Sequence, residues 1–407
     1  MGPDRLIGRV GYRFCSNGLR EHLHPTSVAI MATGTDAGLL DESEPLQSFM
    51  KHLVLRRYGM VFTQKLSRGT NVPVVLVDGY AGRGRYDDGT PASAELLIQA
   101  AIAAEPGTTL VELVEPNEEF CDRLEALIDE YEWSSGRTGW GRVSRGKVED
   151  HLPAILARAS NKHLFLFLDP GVAGLSFNQI VKLHRRAAGN WPRTEVLLNF
   201  NGGLGRRVAA NALGSDRDSV LDSVCGGGWW RDSVKQGRAA SPDDWEMALQ
   251  YLVNGYTAKL EQAMQGSMVT AVPVRKRYTN QPVFYLIHTT RSGVGLWEMS
   301  DAIARATREW REEHDLREAS GQMALFSPLD EVASIDEAKE RVRQNLLGLT
   351  RQLGTFQLAD EAARVLAGAL GIVKGSEVGA IARALDDEHQ IRLQRDKKPE
   401  KYVVQPV

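Results

Sequence analysis

The run Asp78-Gly79-Tyr80-Ala81-Gly82-Arg83-Gly84 follows directly on the apolar stretch Pro73-Val74-Val75-Leu76-Val77. A buried strand that ends in a carboxylate and a tight glycine turn is a ligand seat. A molecule lying across the carboxyl ends of parallel strands needs backbone with little side-chain bulk beneath it. Gly79, Gly82 and Gly84 are spaced as GxxGxG, and Gly82 and Gly84 are expected to supply that clearance. A dinucleotide fingerprint reads GxGxxG instead, and a pyrophosphate is repelled by a carboxylate at the position of Asp78. No GK[ST] follows, which argues against a phosphate-binding P-loop. A nucleoside that carries a sulfonium and an amino group, as S-adenosylmethionine does, is favoured by Asp78. The alternative is a purely structural glycine turn.

Glu115 closes the next apolar run, Thr109 to Glu115, ahead of Pro116 and Asn117. It has the position of a carboxylate that accepts hydrogen bonds from both ribose hydroxyls. Its separation from the glycine turn exceeds the ~20 residues usual for such a site, and a loop through Tyr86-Asp87-Asp88-Gly89-Thr90-Pro91 takes up the excess. The alternative is a helix-start carboxylate facing the dipole of the following helix. Glu149 or Asp150 is placed to meet an adenine amine, or equally to be a solvated surface carboxylate. Asp169-Pro170-Gly171 ends the most apolar stretch, His163 to Leu168. A carboxylate there is costly without hydrogen-bond partners, so it points to the crevice where ligands bind. Amino-methylating enzymes carry a related Asp/Asn-Pro-Pro-aromatic turn; here the second proline and the aromatic are absent, which counts against a base amine. Asn199 and Asn201, at the next strand end, either line the same crevice or cap the strand. Asp169, Pro170 and Asn199 are the candidates to orient an acceptor.

Two basic runs suit phosphates. Arg392, Arg395, Lys397, Lys398 and Lys401 lie near the end of the chain, and Arg275-Lys276-Arg277 precedes Tyr278 as a stacking site requires. Asp396 and Glu400 interrupt the first run and Asp386-Asp387-Glu388 precede it, so a solvated surface explains it as well; the second run is short, and a solvated strand edge explains it equally. None of the nine histidines shows a metal-binding spacing, and Cys15, Cys121 and Cys225 form no CxxC pair. No metal is expected, and a reducing cytoplasm is the natural compartment.

The elements that position these residues alternate. Strands are expected at 73–78, 109–115, 141–146, 163–169, 194–200 and 283–288. Helices are expected at 46–62, 92–104, 117–130 (capped by Asn117), 148–159, 177–186 and 297–313. That rhythm implies βαβ units, a mostly parallel sheet and right-handed crossovers. Two helical patterns, 335–353 and 358–370, then precede a helix over 376–385 and two β-like runs, 390–393 and 401–404. Helices followed by a charged hairpin are the layout of a winged helix.

The chain has 407 residues, a net charge of −3, 43% hydrophobic and 25% charged residues. This is the composition of a globular protein with two or three domains, not of one that coats nucleic acid by bulk charge. No apolar run approaches the roughly 20 residues that span a bilayer, and the first 30 residues hold no signal-peptide core. Met31 is as good a start as Met1. The expected division is a poorly ordered extension over 1–40, a Rossmann-like methyltransferase domain over 41–312 with a helical insertion at 205–270, a linker over 313–334, and a winged-helix-like α+β module over 335–407.

Together these segments resemble the three-Cys-motif partner family of bacterial proteins. The resemblance is carried by Lys51 to Tyr58, by Val77 to Tyr86 with Gly89-Thr90-Pro91-Ala92, by Glu115-Pro116-Asn117, by Phe167 to Gly171 and by Tyr285 to His288. It spans roughly residues 45–310. Where that family reads Asp-Pro-Phe-Gly, this chain has Gly171-Val172 after Asp169-Pro170. The three cysteines of the name belong to the partner. The resemblance implies a methyltransferase-like fold, S-adenosylmethionine as cofactor, and a protein partner with radical chemistry. The expected activity is methyl transfer to nucleic acid; the alternative is an adaptor of the same fold that binds nucleic acid or protein without turnover.

Overall fold

The computed structural model describes residues 46–105, 107–170, 174–186, 191–201, 218–241, 245–275, 282–319 and 329–407, and these belong to one compact unit. The expected extension, Cys15, Lys276, Arg277, Tyr278 and the Gly171-Val172 departure lie outside the described residues.

A seven-stranded sheet organises the unit. Its strands are β1 (Val74–Asp78), β2 (Thr109–Glu115), β3 (Gly141–Arg145), β4 (His163–Leu168), β5 (Thr194–Asn201), β6 (Met268–Arg275) and β7 (Pro282–Thr290). Their order is β3-β2-β1-β4-β5-β7-β6. The pairs among β1 to β5 are parallel, and β7 runs antiparallel to both neighbours. This is the strand order of a Rossmann-like methyltransferase sheet, as expected.

The apolar runs explain why both faces are covered. Val75, Val77, Leu164 and Leu166 enter one core, while Val74, Leu76, Phe165 and Phe167 enter another on the opposite face. Alternate side chains of a strand point to opposite faces, so a run that is apolar throughout demands helices on both. One face takes residues of α1 (Leu46–Gly69), α2 (Ser93–Ile102), α3 (Glu118–Ser135) and α9 (Gly293–Ala319). The other takes α4 (Val148–Arg158), α5 (Phe177–His184), α6 (Asp218–Cys225), α7 (Trp230–Ala240) and α8 (Trp245–Ala263). Asn117 caps α3 as expected, its Oδ1 accepting from the Phe120 N–H at 3.1 Å. Ser176 and Gln179 form a capping box at α5.

Three expectations are corrected. The helical insertion ends earlier, because 268–270 already belong to the edge strand β6. The polar stretch 313–334 is helical wherever it is described: α9 runs on to Ala319 and α10 (Leu329–Leu353) begins within it. The helix over 358–370 shrinks to one turn, α11 (Ala362–Val365), because Gly368 and Gly371 take left-handed φ of 73° and 69°.

Beyond α10, the two-residue strand β8 (Phe356–Gln357), α11, α12 (Gly375–Asp387), β9 (Arg392–Gln394) and β10 (Val403–Gln405) follow. They form an antiparallel sheet of order β8-β10-β9. Their core is shared with α9 through Leu296 and Trp297. Among the described residues no helix is long and apolar enough to cross a membrane.

Candidate functional site

The strand order reverses between β1 and β4, and the crevice outside the carboxyl ends of strands at such a switch point is where ligands bind in open α/β sheets. The register brings the expected residues there. Asp78 pairs with Phe167, two residues before Asp169, and Leu168 pairs with Leu198, so Asp169 and Asn199 leave adjacent strands side by side.

Asp78 is fully buried. Its Oδ1 accepts the Tyr80 N–H at 3.1 Å, whereas Oδ2 is buried without a well-directed hydrogen bond from the described residues. Burial pushes its carboxyl up to about 7; the nearby Ser93 hydroxyl and the Tyr80 N–H pull it down, and the charges of Asp169 and Glu115 raise it further. A carboxylate held this way is stabilised by an incoming cation.

Glu115 clamps the glycine turn. Its Oε2 accepts the Gly82 N–H and its Oε1 the Asn117 N–H, both at 2.9 Å. The turn is also pinned to the sheet, with Gly79 N–H bonded to Phe167 O and Ala81 N–H to Val114 O, each at 3.0 Å. The loop expected to absorb the extra spacing is there: Tyr86 and Thr90 close a turn, and Ala92 N–H returns to Gly84 O. Pro116 is half-buried beside Glu115.

The glycines divide the work differently from expectation. A Cβ on Gly84 would lie 2.8 Å from Leu124 Cδ2, so Gly84 lets the turn close on α3 and does not open the crevice. A Cβ on Gly79 would meet Leu168 Cδ2 at 2.7 Å. Gly84→Ala, with φ of 78° besides, is expected to cost about 1–3 kcal/mol of stability. Thermal melting without ligand checks this.

Asp169 is held from both sides. Lys51 Nζ lies 2.5 Å from its Oδ2, and Asn199 Nδ2 donates to its Oδ1, also at 2.5 Å. Lys51 comes from α1, and its ammonium also faces the Phe284 ring at 5.8 Å. Pro170 is buried. The Tyr80 hydroxyl is buried with no partner among the described residues; burial, then Glu149 and Asp169, push its phenol up. Glu149 is half-buried and Asp150 exposed on the first turn of α4.

Lys51 is the residue that sequence reasoning missed. Its one signal is a charge inside the apolar arc of Met50, Val54, Leu55 and Tyr58 on a helix, all buried. Asn201 and Arg275 end strands, and their side chains lie outside the described ones. Arg392, Lys397 and Lys398 are exposed, but Arg395 is engaged by Asp386 at 3.0 Å and Asp387 at 3.1 Å, which reduces its value for phosphate. Among the described residues no cluster suits a metal ion.

A small pocket opens at the opposite, amino edge of the sheet, lined by Tyr58, Phe62, Lys65, Arg193, Glu195 and Glu298 among others. Its buried carboxylate already has partners in the Tyr58 hydroxyl, His288 and Thr290. Burial alone would raise Glu195, yet His288, Tyr58 and Thr290 bring it below the ordinary value. The carboxyl edge leaves two acceptor oxygens, Asp78 Oδ2 and Asn199 Oδ1, buried without a well-directed hydrogen bond from the described residues, whereas the groups left so at the amino edge are nitrogens, Arg193 Nη1 and His288 Nδ1. It is the stronger candidate.

No protein-family model and no curated protein matches the chain. Solved structures do. An O-methyltransferase from Streptomyces achromogenes involved in tomaymycin synthesis, crystallised with S-adenosylmethionine, is 14% identical over 62% of this chain and 83% of its own, with a TM-score of 0.32. A methyltransferase from Geobacter sulfurreducens is 11% identical over 62% and 91%, at 0.31. An O-methyltransferase from Bacillus cereus, in complex with S-adenosylhomocysteine, is 14% identical over 61% and 82%, at 0.30. At these scores the likenesses carry no weight of their own; the strand order assigns the fold.

Proposed function

We propose that the chain is an S-adenosylmethionine-dependent methyltransferase. The observation that supports this best is the Asp78 carboxyl at the switch point. It is fully buried, its Oδ2 lacks a well-directed partner among the described residues, and it suits a cationic nucleoside. When bound, the donor supplies an electrophilic methyl group on a sulfonium. The residues of this chain do the positioning. Asp78 accepts from the donor's amino group, Tyr80 and Ala81 shape the turn, and Glu115 holds that turn while offering lone pairs to ribose hydroxyls; an ionised carboxylate has about four. Asp169 and Asn199 orient the acceptor so that its nucleophile lies in line with the methyl group, an effect that alone supplies several kcal/mol.

The acceptor we propose is nucleic acid. The succession of helix, strand, two helices and hairpin in 329–405 suits a winged helix, and Arg392, Lys397 and Lys398 are exposed on or beside its hairpin. Kinship with the three-Cys-motif partner family, and with it a radical-chemistry partner protein, belongs to the same proposal. It draws on the segment from Asp78 to Ala92. The adaptor reading is favoured by one observation: both oxygens of Glu115 already serve the backbone.

Native mass spectrometry of the full chain from its host, for retained donor or S-adenosylhomocysteine, tests the first claim. Calorimetry with both ligands complements it, and absence of binding in both would end the methyltransferase reading. Incubation with labelled donor and DNA or RNA separates the other two: transfer of label supports the enzyme, and tight binding without transfer supports the adaptor. Glu115→Ala is expected to weaken donor binding by about 1–3 kcal/mol through loss of buried hydrogen bonds, read as a shift in Kd.

A further inference from the structure

The trio Lys51, Asp169 and Asn199 carries an inference beyond the donor seat, and it rests on the reading of this crevice as a methyl-transfer site. Lys51 is 4% exposed and Asn199 3%. The ammonium and the carboxylate cancel, so the floor of the crevice beside β4 and β5 has no net charge from this pair. Because the amide nitrogen of Asn199 is spent on Asp169 Oδ1, its carbonyl oxygen Oδ1 is the group left over, buried and without a partner among the described residues. A buried carbonyl oxygen without a donor is costly, and a ligand N–H placed against it removes the cost. The Tyr80 hydroxyl is also buried without a partner among the described residues.

We propose that Lys51 is a positioning residue that neutralises Asp169 and, through it, turns the Asn199 carbonyl to the acceptor, so that the site selects a neutral N–H group, such as a carboxamide or an aromatic amine, over an aliphatic ammonium. An ammonium entering here gives up hydration and finds in the Lys51–Asp169 pair no net negative charge to replace it, the Asp78 carboxylate being taken by the donor's amino group. A carboxylate ligand likewise finds no net positive charge in the pair and meets the Asn199 carbonyl oxygen, an acceptor facing an acceptor.

Three probes with one ring and different charge test this: benzamide, benzylamine (protonated at neutral pH) and benzoate. Each is titrated by saturation-transfer NMR into the full-length protein loaded with S-adenosylhomocysteine, whose own binding is measured first. The expected order in the wild type is benzamide first, with the two charged probes at least about tenfold weaker, which corresponds to about 1.4 kcal/mol. Lys51→Met leaves Asp169 uncompensated and is expected to reverse the order in favour of benzylamine, while Lys51→Arg keeps the wild-type order. A merely structural lysine would change stability without reversing selectivity. Benzylamine binding as tightly as benzamide to the wild type, binding of no probe, or an unchanged order in a folded Lys51→Met protein overturns the proposal. The wild-type order decides the matter if Lys51→Met does not fold. Tight S-adenosylhomocysteine binding with the wrong probe order defeats this inference alone; no S-adenosylhomocysteine binding defeats the parent reading instead.

Discussion

Asp78→Asn is expected to weaken binding of S-adenosylmethionine by about 2–5 kcal/mol, roughly thirtyfold or more in Kd, because it removes one partner of a buried charge-assisted pair. The same change is expected to erase a pH dependence. Burial holds the Asp78 carboxyl at about 7 rather than at the ordinary 3.8, and only the ionised form attracts a cation. Wild-type affinity therefore falls as pH drops below 7 and is about tenfold weaker at pH 6 than at pH 8, since one pKa unit corresponds to a factor of ten. Ligand-free stability moves the other way. Between pH of about 4 and 7 the native state keeps a proton that the unfolded chain releases, so stability declines as pH rises through that window and levels off above it. Asp78→Asn removes this share of the slope. Calorimetry at pH 6, 7 and 8 and denaturant titrations at pH 5 and 8 check both halves. Unchanged affinity of Asp78→Asn at pH 7, or tighter donor binding on acidification, would defeat the assignment.

The stretches legible from residue types are those where one physical requirement dominates. Strands β1 and β4 are apolar nearly throughout, and β2 and β5 through their middles, because both faces of a parallel sheet are covered, and such runs bounded by glycine, proline or carboxylates have few other readings. With strand ends located, Asp78, Glu115, Asp169 and Asn199 follow, since the carboxyl edge is where βαβ connectivity places ligands. Edge strand β6 escaped notice because Met268 to Arg275 contains Pro273, which argues against a strand in sequence but is tolerated at an edge. The stretch 313–334 read as a linker from polarity alone, yet Glu, Arg, Ala and Leu are good helix formers and polarity does not end a helix. Lys51 was illegible for a deeper reason. A lysine on a helix is almost always solvated, and only the three-dimensional meeting of α1 with the end of β4 supplies the carboxylate that makes its burial tolerable.

That same dependence on packing makes the C-terminal module inseparable from the sheet domain. Trp297 of α9 is 3% exposed and sits, with Leu296, in a core otherwise built from Ala338, Val342, Leu346, Leu358, Val378 and their neighbours. Polar contacts reinforce the junction. Arg308 pairs with Glu377 at 2.8 Å, Asp301 accepts from the Gly375 N–H at 2.8 Å, and Lys65 of α1 bonds Glu298 and reaches Glu400 at 2.9 Å. The backbones meet without side-chain clearance where a Cβ on Gly293 would lie 1.9 Å from Ala359 O. Trp297→Ala is accordingly expected to cost about 3–5 kcal/mol, as for other buried tryptophans. Gly293→Ala is expected to part α9 from the turn at Ala359 at a cost of about 1–3 kcal/mol. Ending the chain at residue 334 strips the cover from Leu296 and Trp297, so the shortened protein is expected to aggregate or melt well below the full chain. Calorimetric melting separates the possibilities: a single transition that all three changes lower supports one cooperative unit. Two transitions, with Trp297→Ala lowering only the one lost on truncation, would show a module that folds for itself and only leans on α9.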